Sequence, residues 1–168
     1  MMAGENDETA SLSPTSATIA AFAAVMTAAV PGSLATTPNI PGWYAGLAKP
    51  ALSPPNWVFG PVWTTLYAMM GYAFYRVLRL PSERDGRRAA IAAFLLQLAL
   101  NAVWSFAFFA AHSPAAGLAV ILPMEAAIIA TILLFRRLDG VAAGLLVPYA
   151  LWVAFATLLN AQIWMLNG

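Results

Sequence analysis

The chain has 168 residues, of which 61% are hydrophobic and 9% charged, with a formal net charge of +1 and a mean hydropathy of +0.74. A soluble domain carries about 25% charged and about 45–50% apolar residues, and a chain this short cannot hide such an excess of apolar surface, so the composition points to a membrane protein with lipids as its surroundings. The near-neutral balance, without a basic stripe, excludes nucleic acid as a partner, and the absence of cysteine excludes disulfides, thiolate metal sites and a Cys nucleophile.

Residues 1–16 set Glu5, Asp7 and Glu8 among Ser and Thr and read as a disordered polar N-terminus. A secretory signal wants a basic start, and this start is acidic, so the first apolar segment is expected to be retained. Apolar segments follow at about 17–35, 57–80, 89–111, 115–135 and 141–166, each near or above the ~20 residues that cross a ~30 Å hydrocarbon layer. None alternates with period two, which argues against a β-barrel. The expected fold is all-α: one domain, 17–168, forming an integral membrane bundle of five transmembrane helices.

A Pro/Trp-rich loop, 36–56, joins the first two segments. From Trp43 to Tyr67 the chain holds three tryptophans, two tyrosines and four prolines. Proline removes a backbone donor and biases its predecessor toward extended geometry, so continuous helix is not expected from Lys49 to Phe59. The reading is a stiff lid resting on a cavity between helices. The other connections are short turns, which force antiparallel neighbours. Arg76, Arg79, Arg84, Arg87 and Arg88 flank the second connection and Arg136 and Arg137 the fourth, against Lys49 alone on the other side. The positive-inside rule then puts the N-terminus and connections two and four inside, and the first loop and C-terminus outside.

Within the third segment Gln97, Asn101, Trp104 and Phe108 share one helical face. Two amides in a membrane span need partners: they either hold helices together or face a ligand. The second segment has Trp63 and Tyr67 on one face, the fifth Trp152, Ala156, Leu159 and Asn160, with Pro148-Tyr149 just before. Two indoles and two amides suit a flat, mostly apolar ligand with a few polar edges. Glu125, in the middle of the fourth segment, is an ionisable group at a depth where such groups usually have a function, either as a neutral hydrogen-bonding acid or in proton movement. His112, the sole histidine, reads as a solvated turn residue rather than a haem ligand. No set of residues suits hydrolysis, phosphoryl transfer or metal binding. Small residues four apart, Ala89/Ala93, Ala107/Ala111 and Gly140/Gly144, suit close helix contact and a homodimer.

The run Trp43-Tyr44 … Lys49-Pro50 … Pro54-Pro55 … Trp57 … Phe59 … Pro61 … Trp63-Thr64 … Leu66-Tyr67, with Gln97 … Asn101 … Trp104 … Phe108-Phe109 and Pro148-Tyr149 … Trp152 … Ala156-Thr157 … Leu159-Asn160, resembles the TspO/MBR family of tryptophan-rich sensory and translocator proteins. The resemblance implies a five-helix, commonly dimeric bundle whose pocket takes porphyrins (protoporphyrin IX or haem) as ligands, sterols, or synthetic aromatic drugs, with no required cofactor. It places the pocket tryptophans on Trp63 and Trp152 and the pocket alanine on Ala156. It assigns the amides to Gln97 and Asn101 and the loop aromatics to Trp43 and Tyr44. It also implies three roles to weigh: a tetrapyrrole receptor or sensor, a light-dependent porphyrin-degrading enzyme working through Trp63 and Trp152, and a transporter, for which five helices offer no even internal repeat. One departure stands out: the family's sterol motif ends helix five with Leu, Tyr and a basic residue, whereas this chain reads Leu159-Asn160-Ala161-Gln162.

Overall fold

The computed structural model describes residues 11–168. Five long helices account for most of them: α1 (Pro14–Thr36), α2 (Asn56–Leu78), α3 (Arg87–Ser105), α4 (Pro114–Leu138) and α5 (Gly140–Asn167). No strand occurs among the described residues. Helix α1, with the turns that continue it, and α3, with its own, join α4 and α5 as the four helices long and apolar enough to cross a membrane. Helix α2 matches them in length at 23 residues, but Asn56, Gly60, Pro61, Thr64, Thr65 and Arg76 dilute its hydropathy.

Two boundaries differ from the sequence reading. Helix α1 starts at Pro14, inside the segment read as disordered, because the Ser13 hydroxyl accepts from the Ser16 N–H at 3.1 Å and proline suits a first turn that needs no donor. The rest of that polar segment, residues 1–10, lies outside the described residues. The chain also does not become loop at 36. It winds on as a 3-10 turn, Thr37–Asn39, and a π turn, Ile40–Tyr44. Pro38 and Pro41 each enter at the start of a turn, where the missing N–H costs nothing. The proline argument holds for Lys49–Pro55, which is not helical, and fails at Asn56, where α2 begins directly after Pro55.

The ends of the bundle differ in chemistry. At the arginine-bearing end, Arg76 forms an ion pair with Asp139 at 2.8 Å. Arg87 donates to the last carbonyls of α2, those of Val77 and Leu78, at 3.2 and 3.0 Å. Asp139 also caps α5, accepting from Val141 and Ala142 at 2.9 and 3.0 Å. Burial opposes ionisation of this carboxyl, but the Ala142 N–H, the Arg76 guanidinium and the Val141 N–H outweigh it and hold the group below its ordinary range. Above this end lies the dry core, where Phe74, Phe94 and Phe135 stack in series at 4.3 and 5.7 Å. Ala17, Ala21, Val25 and Ala28 are fully buried on one stripe of α1, small enough to bring its backbone close to its neighbours. With the lower half so filled, free space is left to the opposite half.

Candidate functional site

A cavity of about 590 Å³ occupies the half of the bundle away from the arginines. Its walls come from α1, α2, α5, the end of α3 and the π turn Phe106–Ala110, while α4 contributes nothing. Nine of the residues that the sequence placed on candidate faces or in the loop line it: Tyr44, Trp63, Tyr67, Trp104, Phe108, Trp152, Ala156, Leu159 and Asn160. No charged side chain is among the lining residues, so the interior offers aromatic faces, hydroxyls and amide edges. Its volume lies within the about 300–1,000 Å³ of sites that enclose drug-sized ligands.

Trp63 is held from behind. Its ring meets Tyr67 at 5.3 Å and Tyr149 at 6.2 Å. The two tyrosines are fixed by one amide: Tyr67 Oη donates to Asn101 Oδ1 at 2.9 Å, and Asn101 Nδ2 donates to Tyr149 Oη at 3.1 Å. Asn101 and Tyr149 are both 1% exposed and do not line the cavity. The structure therefore realises the packing role for Asn101, as the bridge that fixes the wall behind Trp63. Trp152 takes its position from Phe59, edge to face at 5.9 Å.

Across the cavity, Trp104 Nε1 donates to Asn160 Oδ1 at 3.3 Å, and Asn160 Nδ2 donates to the Pro114 carbonyl at 2.7 Å. Asn160 thereby satisfies the indole and anchors α5 to the start of α4. The contact is tight: a Cβ on Gly117 would lie 2.6 Å from Asn160 Oδ1 and 2.9 Å from Phe108 Cδ2, so this position of α4 must be glycine.

The cover is aromatic. Tyr44 and Phe108 are buried, and Trp43 stands edge-on to Phe108 at 5.4 Å. Trp43 does not line the cavity; it stacks on His112 at 4.8 Å and 13°. His112 Nε2 and Asn39 Oδ1 are 2.8 Å apart, and His112 has φ +52°, a left-handed geometry uncommon for any residue but glycine. The solvated turn residue of the sequence reading is thus a structural partner of the cover. The cover itself is helical at Trp43 and Tyr44, not an irregular loop. Asn167 fastens the segment that follows, exchanging two hydrogen bonds of 2.9 Å with the backbone of Ala48.

Gln97 is 1% exposed and neither its Nε2 nor its Oε1 has a partner; it lies one turn deeper than Asn101 and away from the cavity. Among the described residues Glu125 forms no ion pair. It sits half-buried on α4, and its Oε2 has no hydrogen-bond partner among the described residues. The sequence reading missed the contribution of α1 and the turn after it, where Phe22, Met26 and Ser33 of the helix and Thr37 of the turn line the cavity. These are the bulkier or polar residues of an otherwise alanine-rich helix, recurring at helical spacing, and that contrast was the available signal.

An all-helical, multi-pass membrane protein with an aromatic, uncharged cavity covered by a proline-rich segment is the class that the fold and site define. The chain belongs to the TspO/MBR family, whose model matches residues 19–165. It is 40% identical over 150 residues to the tryptophan-rich protein TspO of Archaeoglobus fulgidus, covering 89% of this chain and 96% of that protein. It is 42% identical over 123 residues to the human translocator protein, 73% of each chain. With the tryptophan-rich sensory protein of Cereibacter sphaeroides it shares 41% identity over 125 residues, 74% of this chain and 77% of the relative.

Proposed function

We propose that this protein is a membrane receptor or sensor that binds a flat tetrapyrrole, of the protoporphyrin IX or haem type, in the cavity beneath the aromatic cover. The observation that carries the reading is the pairing of Trp63 and Trp152 around a cavity of about 590 Å³ without a charged lining residue. Indole faces stack on a conjugated macrocycle, and Ser33, Thr37 and Asn56 supply polar edges in the lining to receive its carboxylate side arms. Sterols remain within the same size class, but the departure at Asn160 and Gln162 gives them less support.

The reading extends to topology. Helix α2 is the fifth span, since 23 residues rise ~35 Å. The arginine-bearing end faces the inside, with the N-terminus, as the distribution of Lys and Arg favours. A homodimer belongs to the same proposal: a Cβ at Gly140 or Gly144 would meet nothing within 4 Å, leaving room for a partner helix.

The test is titration of the reconstituted protein with protoporphyrin IX, followed by quenching of tryptophan fluorescence. Trp63→Phe and Trp152→Phe each remove part of a stacking surface, an effect of ~0.5–1.5 kcal/mol beyond area, and are expected to weaken binding about threefold to tenfold. Unchanged affinity in both variants would place the ligand elsewhere. A second reading, light-dependent breakdown of the bound porphyrin, is favoured by the same two indoles facing one cavity. It requires a product that forms under light with protein and is lost in Trp152→Phe; equal bleaching without protein would refute it.

A further inference from the structure

We propose that the cavity is reached sideways from the bilayer, through a slit between α1 and α2, and not through the cover. Among the lining residues, Phe22, Met26 and Ser33 of α1 and Gly60, Thr64 and Ala68 of α2 are exposed on the outer surface of the bundle, and the exposed Thr37 and Asn56 carry the same two stripes up to the cover. Their spacings, i, i+4, i+11 on α1 and i, i+4, i+8 on α2, put each set on one stripe of its helix. Two stripes that line the same cavity while facing outward are the two lips of an opening. At 1.5 Å per residue these two runs extend roughly 16 Å and 12 Å along the helix axes below the cover.

The slit has a closed lower end. Phe22 covers Gly71, where a Cβ would come within 2.9 Å of Phe22 Cε1. Below that point the buried faces of α1 and α2 merge in the core through Ala17, Ala21, Met70 and Val77. Along the slit the two helices exchange no side-chain hydrogen bond among the described residues, and the Thr64 hydroxyl turns back to the Gly60 carbonyl at 2.9 Å. The cover is the opposite case. It is tied down by the Asn39–His112 contact, by the paired Ala48–Asn167 hydrogen bonds and by the interlocked rings of Trp43, Tyr44 and Phe108. Parting two helices held only by dispersion contacts, with lipid ready to fill the space, costs less than breaking three hydrogen bonds and a packed aromatic cluster. The ligand class follows: a molecule already dissolved in hydrocarbon, whose relevant concentration is that in the membrane.

Two experiments test the entrance, one without any ligand. The chain has no cysteine, so Thr64→Cys carries a nitroxide label at a single position in reconstituted vesicles. The label is expected to collide with dissolved oxygen and to be shielded from a water-soluble nickel chelate; free access of the nickel chelate would show that the mouth faces water and overturn the proposal. The second experiment, which takes its probe from the tetrapyrrole reading, follows the association rate of protoporphyrin IX by tryptophan quenching. Thr64→Phe narrows the slit and is expected to slow association about tenfold, read as a rate and not as an affinity because Thr64 also lines the cavity. Asn167→Ala unfastens the cover and should leave the rate unchanged. Faster association in Asn167→Ala together with an unaltered rate in Thr64→Phe would assign entrance to the cover. Absence of quenching in the unmodified protein would refute the tetrapyrrole reading alone, since the nitroxide measurement decides the position of the mouth independently.

Discussion

Gly117→Ala probes the junction on which the far wall of the cavity depends. Considered as a helical residue alone, alanine should stabilise α4 by about 1 kcal/mol over glycine. The surroundings reverse the sign. The new methyl would lie 2.6 Å from Asn160 Oδ1, 2.9 Å from Phe108 Cδ2 and 3.2 Å from Phe108 Cβ, and both neighbours are about 2% exposed, so they can give way only toward the cavity they line. Overpacking of this kind costs about 1–3 kcal/mol. Displacing Asn160 also lengthens its hydrogen bonds to Trp104 and the Pro114 carbonyl, and a buried polar group left unpaired costs a further ~1–3 kcal/mol. After subtracting the helical gain, a net loss of about 1–5 kcal/mol is expected, measured as a lower thermal midpoint in detergent. The mechanism is isolated by a double-mutant cycle: with Asn160→Ala in the background, Gly117→Ala should cost at least about 1 kcal/mol less, because the closest clash has gone. A stabilised Gly117→Ala protein, or an identical cost in both backgrounds, would refute the close packing of α4 against Asn160.

Three further outcomes follow from named groups. Asp139→Ala removes the α5 cap and the partner of Arg76 together, and should lower stability by ~0.5–2 kcal/mol on the cap alone. Because the Asp139 carboxyl is held below its ordinary range, its contribution is fully present above the unfolded value of about 3.9 and fades as pH falls through the lower folded value. Thermal midpoints of the parent and Asp139→Ala proteins should therefore converge in acid and not in base. Gln97→Leu replaces a buried amide with two unpartnered ends and should leave stability unchanged or raise it by ~1 kcal/mol; a loss on thermal melting would reveal a bound water or other partner at the amide. His112 is outside the cavity and stacked on Trp43, so His112→Ala should leave the visible spectrum of added haem unchanged, and a shift would make the histidine an iron ligand.

Much of the fold was legible because hydrocarbon imposes a length and a composition on each helix, and four of the five helices show both. Helix starts at Pro14 and Asn56 were less legible, since a local proline signal reads as a break whether the proline precedes a first turn or interrupts a helix. Pro55 misled at Asn56 for that reason, and the stretch read as loop from 36 turned out to extend α1 through Tyr44. At the site, periodicity identified faces correctly but carried no depth. Gln97 and Asn101 share the face of Trp104 and Phe108, yet the cavity lies level with the latter pair and the amides lie one and two turns below. On α5, Tyr149 stands below Trp152 in the same way. The α1 wall escaped notice because alanine dominates that helix and no motif marks Phe22 or Met26.

That division by depth bears on selectivity. The hydrogen-bonding capacity of Asn101 is committed to Tyr67 and Tyr149, and most of that of Asn160 to Trp104 and Pro114. What these amides contribute to the cavity is rigidity of its indoles and not spare donors for a ligand. A wall built in this way discriminates by shape and aromatic area, since losing one ligand hydrogen bond would leave few buried partners unpaired, whereas a bulge in the ligand would press on rings that are fixed from behind. Flat ligands that differ in polar substituents should therefore bind with similar affinity, and equally polar ligands that differ in planarity should not. Removing Asn101 tests the argument: Asn101→Ala should loosen Trp63 and lower the affinity for planar ligands, while raising tolerance for non-planar ones. An equal loss for both would mean that the amide contacts the ligand directly.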